Sequence, residues 1–178
     1  MDVKIVEWDQ MILVGMSFYG DPFAESGGWT EENEIGRLWD RFMAYLTAHA
    51  AALRHTTEEQ VAYEVHVAGE EAASKGFREV FVGVEVEHLA DVPVELLVKV
   101  LPAATYAMFT LRGEEIASDW SMSIGQWMQE NPAYASDATY GVQRYDERFR
   151  DVDHLAESVL EVFVPVKKVD DAPPGGDR

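Results

Sequence analysis

The order of hydrophobic patterns constrains this chain most, because the same β-β-α-β-β succession is written twice within 178 residues. Strands are predicted at Val3 to Trp8 and Met11 to Tyr19, the second rich in strand formers around Ile12, Val14 and Phe18. After a Gly/Pro/acidic loop from Gly20 to Gly28, Thr30 is placed to cap a helix, with Glu31 and Glu32 in its first turn. Ile35, Leu38, Trp39, Phe42, Leu46, Ala50 and Leu53 recur at three- and four-residue steps and predict a helix of about five turns. Strands follow at Gln60 to Val67 and Arg78 to His88, separated by the polar surface loop Gly69 to Gly76.

The second half repeats the order. Glu95 to Leu101 and Thr105 to Arg112 are strands, and Gly113 then opens a helix with apolar positions Ile116, Trp120, Ile124, Trp127 and Met128. It ends at Asn131-Pro132, since a residue before proline leaves helical space. Strands at Tyr140 to Tyr145 and Ser158 to Val166 complete the pattern, and a Pro/Gly-rich tail is expected to be disordered beyond residue 168. The fold expected is a single α+β domain over residues 1–168. It is built from duplicated β-α-β-β modules with pseudo-twofold symmetry, two main helices lying on one face of a mostly antiparallel sheet. Such a duplication leaves a cleft where the halves meet, a natural place for a small molecule.

Composition narrows the chemistry. With 33 acidic and 14 basic residues the formal charge is −19, which repels a phosphate backbone, so no direct nucleic-acid binding is expected. No cysteine is present, which removes disulfides, thiolate metal sites and cysteine nucleophiles. No apolar run reaches the ~20 residues of a membrane span and no export signal opens the chain, so a cytoplasmic location is expected. Only five of the basic residues are Lys against nine Arg, and this acidic surface suits a high-salt habitat in which self-repulsion is screened.

No pattern of catalytic residues stands out. His49, His55, His66, His88 and His154 show no tight ligand spacing, so neither metal nor cofactor is expected. There is no nucleophile elbow and no phosphate-cradling glycine run. Paired carboxylates are too numerous for one pair to be singled out. The tryptophans say more: Trp39, Trp120 and Trp127 lie on the apolar stripes of the two helices, where they either fill a core or line the cleft, while Trp8 and Trp29 lie outside them. Gln143, Glu161 and Glu85 are polar residues within strands, each readable as a solvent-facing position or as a polar anchor inside an aromatic cavity.

Taken in order, several segments resemble GyrI-like domains, also called AraC-type effector-binding or SOUL-related domains. These are Lys4 to Trp8 with Met11 to Gly15, Leu38 to Phe42, Gly83 to Val86, Ala104 to Thr110 with Gly113, Trp120 to Tyr134, Arg144 to Phe149 and Glu161 to Val166. The resemblance spans about residues 3–168 and implies a standalone small-molecule-binding protein with a cleft between its halves. It also implies two alternatives: a hydrolase of reactive toxic small molecules, with Glu161 and Glu85 as candidate carboxylates, or an acidic protein acting on gyrase or a regulator, as monomer or weak homodimer. Trp39, Phe42, Tyr106, Trp120, Gln143, Tyr145 and Glu161 are the expected ligand-binding residues. In cation-sensing members a buried glutamate falls in the segment matching Val142 to Tyr145, where this chain has Gln143, and aromatic positions fall on Gly36, Val61 and Ser158. Those departures leave a neutral or zwitterionic ligand as open as a cation.

Overall fold

A computed structural model describes residues 1–28, 30–49, 53 and 55–169. The first half runs β1 (Asp2–Trp8), β2 (Met11–Gly20), α1 (Glu34–Ala48), β3 (Ala62–Ala68), the one-turn α2 (Ala72–Lys75) and β4 (Arg78–Glu85). The second runs β5 (Leu97–Leu101), β6 (Ala104–Arg112), α3 (Glu114–Ala117), α4 (Trp120–Glu130), β7 (Tyr134–Ser136), β8 (Tyr140–Tyr145), a 3₁₀ turn (Val152–Glu157) and β9 (Val159–Lys168).

The strands form one antiparallel sheet in the order β1-β6-β9-β8-β3-β4-β2-β5, with β7 added beside β9. Exchanging the halves (β1 for β5, β6 for β2, β9 for β4, β8 for β3) returns the same order, so the internal twofold passes between β3 and β8. There Glu64 faces Gln143 directly across the strand pair.

Connectivity forces this sheet to curl. Only Asp9 and Gln10 join β1 to β2, a reach of about 11 Å from Trp8 to Met11. A flat sheet would hold the two strands roughly 29 Å apart, because five others stand between them. The concave face therefore closes on itself around Met11, Leu13, Tyr63, Phe81, Tyr106 and Phe163, with Trp8 stacked 3.9 Å from Phe163 between ring centroids. Gly15 of β2 pairs with Gly83 of β4. A Cβ on Gly15 would fall 1.9 Å from the Val82 carbonyl oxygen, and one on Gly83 would fall 2.5 Å from that of Val14.

Both main helices lie on the convex face. α1 buries Leu38 and Phe42 against Val80, Val82 and Val84 of β4. The second helical segment packs Ile116, Trp120, Ile124 and Trp127 over Phe109, Leu111, Leu160 and Val162. Three details differ from the sequence expectation. Asn33, not Thr30, caps α1, its Oδ1 accepting from the Gly36 amide at 2.9 Å, while Thr30 Oγ1 accepts from the Glu32 amide one turn earlier. The helix expected to run unbroken from Gly113 is split, because Ser118 is extended and Asp119 leaves helical space before α4 begins. The loop from Gly69 to Gly76 contains α2, closed by Gly76 in the left-handed region at φ 73°. Of the positions named earlier, Trp29, Ala50 and the tail from residue 170 lie outside the described residues. Among the described residues no helix is long and apolar enough to cross a membrane.

Candidate ligand-binding site

Strand alternation places Ala62, Glu64 and His66 of β3 on the convex face, and Gly141, Gln143 and Tyr145 of β8 beside them. β3 and β8 are the two central strands, and α1 lies over this face alongside them. A polar pattern that would face water on an edge strand is thereby enclosed. Glu64 is 3% exposed and Gln143 is 6% exposed.

Both carboxylate oxygens of Glu64 are occupied. Oε2 accepts the Trp39 indole N–H at 2.6 Å and the Tyr145 hydroxyl at 3.4 Å. Oε1 accepts Gln143 Nε2 at 3.1 Å and lies 2.5 Å from His66 Nε2. The Tyr145 hydroxyl also donates to Gln143 Oε1 at 2.9 Å, which fixes the amide with its nitrogen toward Glu64. Burial, and then the negative charge of Glu64, hold the Tyr145 phenol well above its ordinary range, so it remains a donor. Around this polar knot stand rings: Trp39 meets Tyr145 edge-on at 5.0 Å, and Tyr145 meets Phe149 edge-on at 4.8 Å. The partners bonded to Glu64 are thus three neutral groups and one imidazole, with no lysine or arginine among the described residues bonded to it. A carboxylate in such surroundings is hydrogen-bonded yet not neutralised by a permanent cation.

The residues expected to form the site are distributed as follows. Trp39, Gln143 and Tyr145 gather on Glu64. Phe42 is fully buried beneath α1 against β4, and Trp120 borders the second-half core that Tyr145 and Phe149 also flank. Tyr106 lies on the opposite, concave face, where its hydroxyl pairs with that of Tyr140 at 2.9 Å. Glu161 faces Arg144 across β8 and β9 and is ion-paired to Arg144 at 3.3 Å and Arg148 at 2.8 Å. Glu85 ends β4 and accepts the Thr57 hydroxyl at 2.8 Å.

The three departures from the aromatic pattern have local reasons. A Cβ on Gly36 would lie 2.5 Å from the Thr30 carbonyl oxygen, so the loop before α1 leaves no room for a ring. Val61 joins the concave core. Ser158 anchors the 3₁₀ turn, accepting from the Arg150 amide and donating to the His154 carbonyl, each at 3.0 Å. An open depression of about 460 Å³ lined by Glu25, Ser26, Glu32 and Arg37 lies on the loop before α1 and does not include Glu64.

Glu64 and His66 were not among the residues singled out from the sequence. Their alternation with Tyr63, Val65 and Val67 looks like the solvent side of a half-buried strand. The signal that separates the two cases is in the neighbour: Val80, Phe81, Val82 and Val84 make β4 apolar on both faces. A strand covered on both sides implies that the strand beside it is covered as well.

The sequence matches the model of integron-associated effector-binding proteins (Cass2) over residues 4–166. The chain belongs to this family. Its fold is also that of solved GyrI-like effector-binding domains. SAV2435 bound to tetraphenylphosphonium superposes with a TM-score of 0.68 at 14% identity, with 94% of each chain covered. The C-terminal domain of EcmrR gives 0.64 at 16% identity, covering 94% of this chain and 98% of that one. An integron cassette protein from Vibrio cholerae gives 0.55 at 14% identity, covering 93% and 95%. No curated protein matches in sequence. The family match spans both halves and every residue bonded to Glu64, and it identifies the chain as an effector-binding protein.

Proposed function

We propose that this protein binds an amphipathic aromatic cation between its two halves, with Glu64 as the counter-charge and Trp39 and Tyr145 as aromatic walls. The buried Glu64 carboxylate carries this reading, since three of its four hydrogen-bond partners are neutral groups and the fourth, the His66 imidazole, is no permanent cation. A ligand cation supplies the missing charge, and ring faces beside it add about 0.5–2 kcal/mol of cation–π attraction. The counter-charge comes from β3, directly across from Gln143, so the neutral residue on β8 does not leave the cleft without a carboxylate. Gln143 then orients, its amide bridging Glu64 and Tyr145. Because the Trp39 N–H sits on Oε2, the ligand takes that place only as the indole turns aside. That SAV2435 binds tetraphenylphosphonium on the same fold supports the choice of ligand class.

The test compares tetraphenylphosphonium with neutral triphenylphosphine oxide by calorimetry, on the wild type and Glu64→Gln. The wild type is expected to prefer the cation, and Glu64→Gln to lose at least about tenfold of that preference, or 1.4 kcal/mol. Equal affinities for the two probes in the wild type would overturn the proposal.

A further inference from the structure

Glu64 Oε1 and His66 Nε2 are 2.5 Å apart. Both are lone-pair atoms in their unprotonated forms, so at this separation a hydrogen must lie between them. Gln143 cannot supply it. Its Nε2 lies to the side, 3.1 Å from Oε1 and 3.3 Å from His66 Nε2, and its Oε1 is committed to Tyr145. The imidazole therefore carries a hydrogen on Nε2, donated to Glu64, and becomes a cation when Nδ1 is protonated as well.

Few other charges face it. On β3 the neighbours on this face are Ala62 and Ala68. From β4 come Val80 and Val82, with Arg78 at the strand end opposite Ala68, its Nε donating to the Gly76 carbonyl. From β8 come Gly141, Gln143 and the un-ionised Tyr145, and from α1 comes the indole of Trp39.

We propose that an entering cation displaces a proton from the Glu64–His66 pair, so that this protein binds its ligand by cation-for-proton exchange. With the imidazole protonated on both nitrogens, the pair is neutral overall and its hydrogen bond is charge-assisted. A cationic ligand offers Glu64 the same compensation, and one carboxylate does not hold two adjacent positive charges in a desolvated cleft without repulsion. The imidazolium N–H that breaks is the one at Nδ1, while Nε2–H stays on Glu64. The proton leaves to water, which reaches the His66 side chain at 21% exposure. This rests on the cation reading above.

The experiment is calorimetric titration of the full chain with tetraphenylphosphonium between pH 5.5 and 8.5, in phosphate and in Tris at each shared pH. The affinity is expected to rise with pH by up to tenfold per unit through the imidazole range and then level off. The apparent heat should differ between the two buffers by the ionisation heat of up to one proton. In His66→Gln, which keeps an N–H donor for Glu64 but does not titrate, profile and buffer difference should both flatten. Saturable wild-type binding with a flat profile and identical heats overturns the exchange and leaves the cation reading standing. Retention of the profile in His66→Gln overturns the assignment to this pair. No binding at any pH overturns the cation reading and the exchange with it. The wild-type measurements decide the exchange even where the variant does not fold.

Discussion

Under the proposed function, Glu64 contributes to stability and to binding with opposite signs. Its four partners satisfy it, but a buried carboxylate bonded mainly to neutral donors retains a desolvation cost that hydrogen bonds offset incompletely. Ligand-free Glu64→Gln is accordingly expected to be as stable as the wild type or more stable by about 1 kcal/mol in urea denaturation. Glu64→Ala should lose about 2–3 kcal/mol, because it strands the donors of Trp39 and Gln143. A loss above 2 kcal/mol in Glu64→Gln would instead make the carboxylate a structural anchor. Trp39→Phe keeps most of the ring and deletes the 2.6 Å bond, so a loss of about 1–2 kcal/mol is expected in the same assay. At this scale the sequence named three of the five residues that gather at Glu64. Trp39, Gln143 and Tyr145 stand out because an aromatic on a helix stripe and a polar residue in a strand are each visible locally. Glu64 and His66 are not, because their enclosure depends on which strands flank β3, and pairing order is a non-local property. Tyr106 differs in kind: its place in β6 is legible, but the face it occupies depends on a register that periodicity alone leaves open.

Elements were more legible than faces. Among the described residues, eight of the nine strands and both principal helices correspond to patterns visible in the sequence, because period-2 and period-3.6 repeats are recorded residue by residue. β7 has three residues and is held by β9 rather than by its own pattern, so it left no signal. The break before α4 was hidden because Ile116, Trp120 and Ile124 keep helical spacing across it. Two expectations belong to this scale. Gly15→Ala or Gly83→Ala should lose at least about 2 kcal/mol by urea denaturation, since the added carbon meets backbone atoms that no rotamer change can move. The second concerns the end of β8, where Asp146 takes Arg148 in hydrogen bonds at 2.7–3.1 Å and also pairs with Arg144. Chiefly through Arg148, its carboxyl is held down to about 2, from an ordinary 3.8. A lowered folded-state value stabilises fully above the unfolded value. About 2 kcal/mol should then be present above pH ~4 and disappear between pH ~4 and ~2. Asp146→Asn should flatten that part of a stability-against-pH curve, and an unchanged acid limb would show that Asp146 is not what holds it.

Across the whole molecule two forces oppose each other. The curled sheet draws its far strands together around Trp8 and Met11, and the duplication sets the two halves face to face at β3 and β8. Against this compaction stands a net charge of −19 on 178 residues. Some acids are matched locally: Arg144 and Arg148 hold Glu58, Asp146 and Glu161, and Lys99 holds Glu79. With 33 carboxylates and 14 basic residues, such pairing cannot extend to the majority. The surplus repels itself at distances beyond hydrogen-bond contact, the range over which dissolved salt screens most effectively: about 30 Å at 0.01 M but about 3 Å at 1 M. Unfolding relieves that repulsion by spreading the charges, so low salt should favour the unfolded chain. The thermal midpoint is therefore expected to rise by several degrees between 10 mM and 1 M potassium chloride. Most of the gain should come below about 0.2 M, where the screening length contracts below the spacing of surface charges. A midpoint equally low at both ends would mean that the acids are already compensated within the fold. A gain that appears only above 0.5 M, or that requires sulfate in place of chloride, would point to salt acting on apolar hydration instead of on charge. Because Glu64 is 3% exposed, its attraction for a cation is screened far less than the surface charges are. Raising salt should thus stabilise the fold by several degrees while weakening tetraphenylphosphonium binding by no more than about threefold. Parallel loss of affinity and gain of stability, each following the screening length, would instead place the binding charge on the surface and not at Glu64.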